Sequence, residues 1–207
     1  ASDVYKRQVL AGLAATPLLV LAAKDGGRYA VPALAIFAAS MILLYGASTT
    51  YHTFNISEKV NKVLRKIDHM MIFILIAGSY TPICVIPLRD TVGIPLLILV
   101  WAVAIAGMLI KAFWITCPKW FSSTIYIAMG WLCVLAMVPL VQTLPTAAFI
   151  WLVAGGVIYT IDGVIYALKL PLFNAKHQYF GSHEIFHVFV MAGSLCHYVT
   201  MFYIATM

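Results

Sequence analysis

Charged residues are scarce in this sequence: only 10% of its 207 residues are Asp, Glu, Lys or Arg, whereas 63% are hydrophobic. A soluble domain of this size does not need so much apolar surface, so the composition excludes a water-soluble protein. Apolar runs of about 20 residues are long enough to cross the hydrocarbon core of a bilayer. The sequence therefore predicts a polytopic, all-α membrane protein.

The sequence also lacks cysteine pairs with C-x-x-C spacing and blocks of basic residues that would suit nucleic acid. The four cysteines are widely separated, and we interpret those in apolar runs as small buried hydrophobes, which excludes a disulfide framework. The net charge of +6 comes from basic residues that cluster in loops, as orientation signals do. We therefore expect membrane lipids as partners and no nucleic acid.

Seven apolar segments divide the chain, and charged or turn-forming linkers such as "SEKVNKVLRK" at 57–66 separate them. None of the linkers is long enough to be a domain, so we expect a single seven-transmembrane domain over 1–207. The opening "ASDVYKRQ" differs in character from the rest of the chain, and we expect residues 1–7 to be non-native or a truncated start. The predicted spans are 8–23, 30–52, 68–87, 93–113, 122–142, 145–168 and 183–206.

Lys and Arg are distributed unequally between the two sides of this arrangement. Ten of the 13 lie on the side of the N-terminus and three on the other. Because positive residues stay in the cytoplasm, this bias predicts a cytoplasmic N-terminus and a C-terminus on the outside.

Few titratable residues lie within the spans, and each is a functional candidate because ionisable groups in a membrane are costly. His52 ends span two, Asp68 opens span three, and His183 and His187 open span seven. With the predicted topology, all four come to the cytoplasmic leaflet. His183 and His187 share a helix face because they are four residues apart, and Ser48 shares a face with His52 in the same way.

Three imidazoles and an open fourth position are typical of a catalytic zinc site. We therefore predict zinc as the cofactor, bound by His52, His183 and His187. Asp68 is the candidate to hold the catalytic water and take its proton, and Ser48 is the candidate to support it.

Two serines, Ser79 and Ser194, each follow a site residue by eleven positions and predict a polar stripe along a cavity, although helix packing is the more common role of such residues.

The segment "SHEIFH", 182–187, contains H-E-x-x-H, a pattern typical of zinc peptidases in which the Glu is the general base. Such peptidases usually take a third ligand downstream, and the metzincin position is occupied by Gly193. The "IDG" at 161–163 mimics the Asp-Gly of intramembrane peptidases but precedes the His pair. An upstream third ligand, His52, fits better, which makes an intramembrane zinc peptidase a lesser alternative.

The order of these motifs resembles the hemolysin III family, the bacterial branch of the progestin and adipoQ receptor superfamily that includes the adiponectin receptors. The resemblance covers about residues 8–206. The segments that carry it are Ser48-x-x-x-His52, Asp68-His69 with "IAGSYTP" at 76–82, "YTIDGVIYALKLP" at 159–171, and His183-x-x-x-His187 with "VFVMAGSLCHY" at 188–198.

The resemblance implies a seven-helix protein of the bacterial inner membrane, with zinc on the residues matching His52, His183 and His187 and with Asp68 contacting its water. It implies a zinc-dependent, ceramidase-like hydrolase of a lipid amide or ester with a role in membrane homeostasis. The alternatives are a non-catalytic regulator or receptor-like protein with structural zinc, and, less favoured, a cytolysin. Asp162 departs from the family pattern, which has a small residue there; it is either a second acid near the metal or the partner of a buried Tyr or His.

Overall fold

The computed structural model describes residues 2–54, 56–114, 118–168 and 182–207, apart from the side chains of residues 2–12, 119 and 182–187. All regular structure in these ranges is helical. Two turns, one wider and one tighter, interrupt the α-helices of these ranges: the π-helical turn Arg89–Gly93 and the 3-10 turn Trp131–Ala136. The helices are α1 (Ser2–Asp25), α2 (Ala30–Thr53), α3 (Glu58–Val85), α4 (Ile94–Phe113), α5 (Lys119–Gly130), α6 (Met137–Thr143), α7 (Thr146–Leu168) and α8 (Ser182–Ile204).

The helices form a transmembrane bundle. Five segments within the described ranges are long and apolar enough to cross a membrane: Ala30–Thr53, Glu58–Val85, Arg89–Phe113, Trp120–Thr143 and Thr146–Leu168. The helix α1 and the shorter apolar part of α8, Val188–Ile204, bring the bundle to seven, with α5 and α6 as two halves of one span. The predicted all-α, seven-helix membrane fold is confirmed, and the chain is a multi-pass membrane protein.

The start of α3 differs from the sequence prediction, which placed the third span at 68–87 after a charged linker. The helix begins at Glu58 because the Ser57 side chain caps it, accepting a hydrogen bond of 3.3 Å from the Val60 backbone N–H. Glu58 in the first turn complements the helix dipole, and the Lys, Leu and Arg residues of the next two turns favour helix. Asp68 therefore lies about three turns inside α3 instead of at its start.

The fifth span is not one continuous α-helix, contrary to the prediction over 122–142. The Tyr80 hydroxyl of α3 donates to the Gly130 carbonyl at 2.6 Å and accepts from the Cys133 backbone N–H at 2.8 Å. These bonds replace bonds of the regular α-helical pattern, and the chain takes the tighter 3-10 turn between α5 and α6.

The helix α3 is the centre of the bundle, packing against α2, α4, α5 and α8. Half of the most apolar stretch of α3 is buried inside the bundle. In the spans Trp120–Thr143 and Thr146–Leu168 the corresponding share is 17%, so those two spans are peripheral. Large side chains such as Phe113, Leu135 and Val138 are exposed, as a surface in contact with lipid requires. Polar chemistry is therefore to be sought around α3, away from the lipid.

Candidate metal centre and cavity

A cavity of about 920 Å³ lies inside the bundle, with lining residues from every helix from α2 to α8. This volume is at the upper end of what small-molecule sites occupy. The lining is mainly apolar, with side chains such as Leu44, Ile72 and Phe149. Among the polar residues that line it are Ser48, His52, Asp68, Ser123, Asp162 and His197.

One side of the cavity, which we call the α2–α3 wall, carries Ser48, His52 and Asp68. The short connection between Thr53 and Glu58 brings the end of α2 beside the first turns of α3. Ser48 on α2 and Asp68 on α3 both line the cavity, and the Ser48 hydroxyl interacts with the Asp68 carboxyl group of the neighbouring helix. His52 lies one turn beyond Ser48 and contacts the Tyr51 ring, with 4.8 Å between ring centroids. Three of the five predicted site residues thus line one cavity.

The other two predicted ligands, His183 and His187, belong to the first two turns of α8. Their helical backbone keeps them four residues apart on one face, as a chelating pair requires. Their side chains, and that of Glu184, lie outside the described residues. Among the residues that are described, no group of three or more His, Cys, Asp or Glu is arranged to hold a metal ion. The donor set proposed for zinc is therefore His52 on the cavity wall and the pair on α8, three imidazoles of the kind zinc prefers.

His69 follows Asp68 but has a structural role. Its Nδ1 lies 2.7 Å from the Arg65 carbonyl oxygen and its Nε2 lies 3.4 Å from the Tyr166 hydroxyl. The Tyr126 hydroxyl donates to the His69 carbonyl at 3.1 Å. Both ring nitrogens are engaged, so His69 ties α3 to α7 and is a poor candidate for a metal ligand.

The predicted polar stripe is present only in part. Ser79 lines the cavity, but its hydroxyl donates to the Leu75 carbonyl of its own helix at 2.8 Å. Ser194 is buried behind the cavity and lies 2.8 Å from the hydroxyls of both Tyr45 and Tyr159. These contacts join α2, α7 and α8, so Ser194 serves helix packing.

The helix α8 approaches α7 closely beside this cluster. A Cβ added to Gly193 would meet the Tyr159 ring at 2.6 Å, so the absence of a side chain lets the ring pack on the backbone of α8. The same ring stacks on His197, with 5.3 Å between centroids. His197 lines the cavity, and its Nδ1 has no hydrogen-bond partner among the described residues.

A second side of the cavity, which we call the α5–α7 wall, carries Ser123 and Asp162. Asp162 is 4% exposed and Ser123 is 1% exposed, and both line the cavity. Within the described ranges, neither the Ser123 Oγ nor the Asp162 Oδ1 has a hydrogen-bond partner. Neither of the two roles weighed for Asp162 from sequence, a second acid near the metal or the partner of a Tyr or His, is shown by its contacts. Sequence reasoning missed Ser123, for which the signal was a polar pair, Ser122 and Ser123, in an apolar run.

Comparison with known proteins shows relatives over most of this chain. A family described as "Haemolysin-III related" matches residues 8–198. "Hemolysin-3 homolog" of Bacillus subtilis (strain 168) is 37% identical over 177 residues, which are 86% of this chain and 79% of the relative. "Hemolysin-3" of Bacillus cereus is 36% identical over 188 residues, which are 90% of this chain and 82% of the relative.

Proposed function

Because the chain belongs to the haemolysin III-related family of membrane proteins, we propose that it is a zinc-dependent hydrolase of a lipid amide or ester. The observation that carries this proposal is the placement of Ser48, His52 and Asp68 on one wall of the cavity, where the Ser48 hydroxyl interacts with the Asp68 carboxyl group. An acid held in place beside a candidate metal ligand, inside an apolar cavity, is the arrangement that hydrolysis of a lipid needs.

His52, His183 and His187 would hold the zinc ion. A zinc ion on three neutral imidazoles supplies a Lewis acid and makes hydroxide available from water near neutral pH. Two of these ligands come from α8 and one from α2, so the site would also fix the position of α8 relative to α2.

Asp68 is the group that moves the proton. Its carboxylate would take a proton from the attacking water and return it to the leaving nitrogen or oxygen as the bond to the acyl carbon breaks. The Ser48 hydroxyl, which interacts with this carboxyl group, would keep it in one orientation without taking part in proton transfer.

The cavity supplies the binding site for the acyl chain. Its apolar lining, with residues such as Leu44 and Ile72, suits a hydrocarbon chain and keeps bulk water out of the binding site. A lipid is the substrate class that such a lining favours, and a peptide is not.

Purified protein incubated with a panel of ceramides, acyl amides and lipid esters, with and without chelator, tests the proposal. We expect hydrolysis of at least one class, its loss with the chelator, and its return when zinc is added. The variant Asp68→Asn should be inactive, and Asp90→Asn, which alters an exposed carboxylate in the turn before α4, should be fully active. Hydrolysis that persists in Asp68→Asn or in the metal-free protein would overturn the assignment.

The names of the Bacillus relatives favour a second candidate function, lysis of membranes. Release of a dye from lipid vesicles by the purified protein tests it. Leakage that is the same for the wild type and Asp68→Asn would support lysis independent of hydrolysis. No leakage at a concentration that hydrolyses lipid amide would exclude it.

We further propose that the protein resides in the inner (plasma) membrane of a bacterium, with its N-terminus in the cytoplasm. The excess of Lys and Arg on the N-terminal side supports this orientation. Reporter fusions check it: a reporter active only in the cytoplasm should work at the N-terminus and fail at the C-terminus. A cytoplasmic signal at both ends would contradict it.

A further inference from the structure

Asp162 is a carboxyl group without a visible structural reason for its position. It is 4% exposed on α7, it lines the cavity, and its Oδ1 has no hydrogen-bond partner in the part of the chain that is described. Polar groups buried in proteins are nearly always paired, and an acid inside a membrane protein is costly to keep unpaired. A water molecule or a ligand in the cavity is left to bond this oxygen.

Ser123, on the facing helix α5, repeats the same observation. It is 1% exposed and lines the same cavity, and its Oγ likewise lacks a partner among the described residues. Serine and threonine side chains inside helices can donate to a carbonyl of the preceding turn, as Thr124 does to the Trp120 carbonyl at 2.8 Å. Ser123 does not, which leaves its hydroxyl available to the cavity.

The register between α5 and α7 places these two groups in the same part of the cavity. The Trp131 indole N–H donates to the Thr160 hydroxyl at 2.9 Å, and a Cβ on Gly163 would meet the Ile127 side chain at 3.0 Å. Residue numbers rise along one helix as they fall along the other, so α5 and α7 run antiparallel. With this register, the serine and the aspartate are separated along the helix axes by about one and a half turns, or ~8 Å, which one bound group and a bridging water can span.

The two groups define the chemistry of the ligand. A carboxylate oxygen accepts hydrogen bonds and attracts a cation, and a serine hydroxyl can accept a bond as well. An alkylammonium group would stabilise the ionised form of Asp162, donating to it directly and to Ser123 through a water, whereas a phosphate or carboxylate head group brings a negative charge that cannot pair with the acid. The apolar remainder of the lining, which includes Ile127 and Val153, suits a hydrocarbon tail.

We propose that the α5–α7 wall binds the amino group of a long-chain aliphatic amine, with Asp162 as the counter-ion and Ser123 as a second acceptor reached through a water. The binding itself requires neither zinc nor hydrolysis. Only the identification of the bound amine as a product of lipid amide hydrolysis rests on the proposed function.

Equilibrium binding of radiolabelled hexadecylamine tests the proposal, with the full-length protein in nanodiscs of phosphatidylcholine. Hexadecanol is the uncharged comparison ligand, and empty nanodiscs provide the background partitioning. We expect the wild type to bind the amine more tightly than the alcohol by about tenfold or more, as a partly desolvated charge pair provides. Equal affinity for the two ligands in the wild type would overturn the proposal.

The variant Asp162→Asn changes the charge at nearly constant shape and should remove the preference for the amine while leaving alcohol binding within about twofold. Ser123→Ala should weaken amine binding less, and the control Asp90→Asn should not change it. An unchanged preference in Asp162→Asn would overturn the assignment. Size-exclusion profiles identical to the wild type establish that each variant is folded.

A chelator separates this site from the metal centre. The preference for the amine should be the same with and without it, even if no lipid amide is ever hydrolysed. A preference that disappears with the chelator would place the amine at the metal site and overturn the proposal.

Discussion

The two polar walls of the cavity differ in the surroundings of their carboxyl groups, Asp68 being half-buried and Asp162 buried. On the α2–α3 wall, the Asp68 carboxyl group interacts with the Ser48 hydroxyl, and its Oδ2 lies 3.9 Å from the His69 Nδ1. On the α5–α7 wall, Asp162 keeps an oxygen without a partner among the described residues. An acid held by the protein is prepared for chemistry on a small molecule such as water, whereas an acid left unpaired is available for a ligand that brings its own donor.

The largest effect that this comparison predicts is on catalysis. Asp68→Asn should reduce lipid amide hydrolysis by about 10² to 10⁴-fold, the usual contribution of a general acid or base, while zinc stays bound. Measurements of turnover together with zinc content check this. A variant that loses its zinc would place Asp68 among the metal ligands and contradict its role as the general base.

Glu184→Gln is the matched control for this prediction. In a peptidase of the H-E-x-x-H type this Glu would be the general base, and its amide would be inactive. If Asp68 is the base, Glu184 only complements the start of α8, so its substitution should change turnover little. Loss of activity in Glu184→Gln with full activity in Asp68→Asn would revive the peptidase interpretation.

The next largest effect is on stability, and its sign should differ between the two walls. Asp162→Leu removes a buried polar group without a partner among the described residues and should raise the free energy of unfolding by about 1 to 3 kcal/mol. Asp68→Leu should lower it, because this substitution removes the carboxyl group with which the Ser48 hydroxyl interacts. Thermal unfolding in detergent, followed by circular dichroism, measures both. A decrease for both variants would show that the unpaired oxygen of Asp162 is satisfied in the folded protein.

Sequence patterns were sufficient for the α2–α3 wall because its geometry is local. Two helices joined by a short connection run antiparallel and place the end of α2 beside the first three turns of α3, which include Asp68, and a spacing of four residues aligns Ser48 with His52. The start of α3 was missed because its charged first turns look like a linker unless the Ser57 cap is recognised. The break at Gly130 and the role of Ser123 depend on residues of other helices, and no local pattern reports such contacts.

The smallest effect concerns Ser194, which lies behind the cavity and contacts two tyrosines that line it. Ser194→Ala removes the group that lies 2.8 Å from both the Tyr45 and the Tyr159 hydroxyls, and it should lower stability by about 1 kcal/mol, as hydrogen bonds between membrane helices usually contribute. Thr124→Ala, an exposed hydroxyl bonded within its own helix, should have less effect. Zinc content should be unchanged in both variants, and a loss of zinc in Ser194→Ala would place that serine at the metal centre.

Metal analysis of the purified protein is the sharpest test of the proposed zinc centre, because it depends on neither a substrate nor an assay of activity. We expect one zinc ion per chain in the wild type and none in the variant in which His52, His183 and His187 are all replaced by Ala. Full zinc content in that triple variant would contradict the assignment of the three ligands.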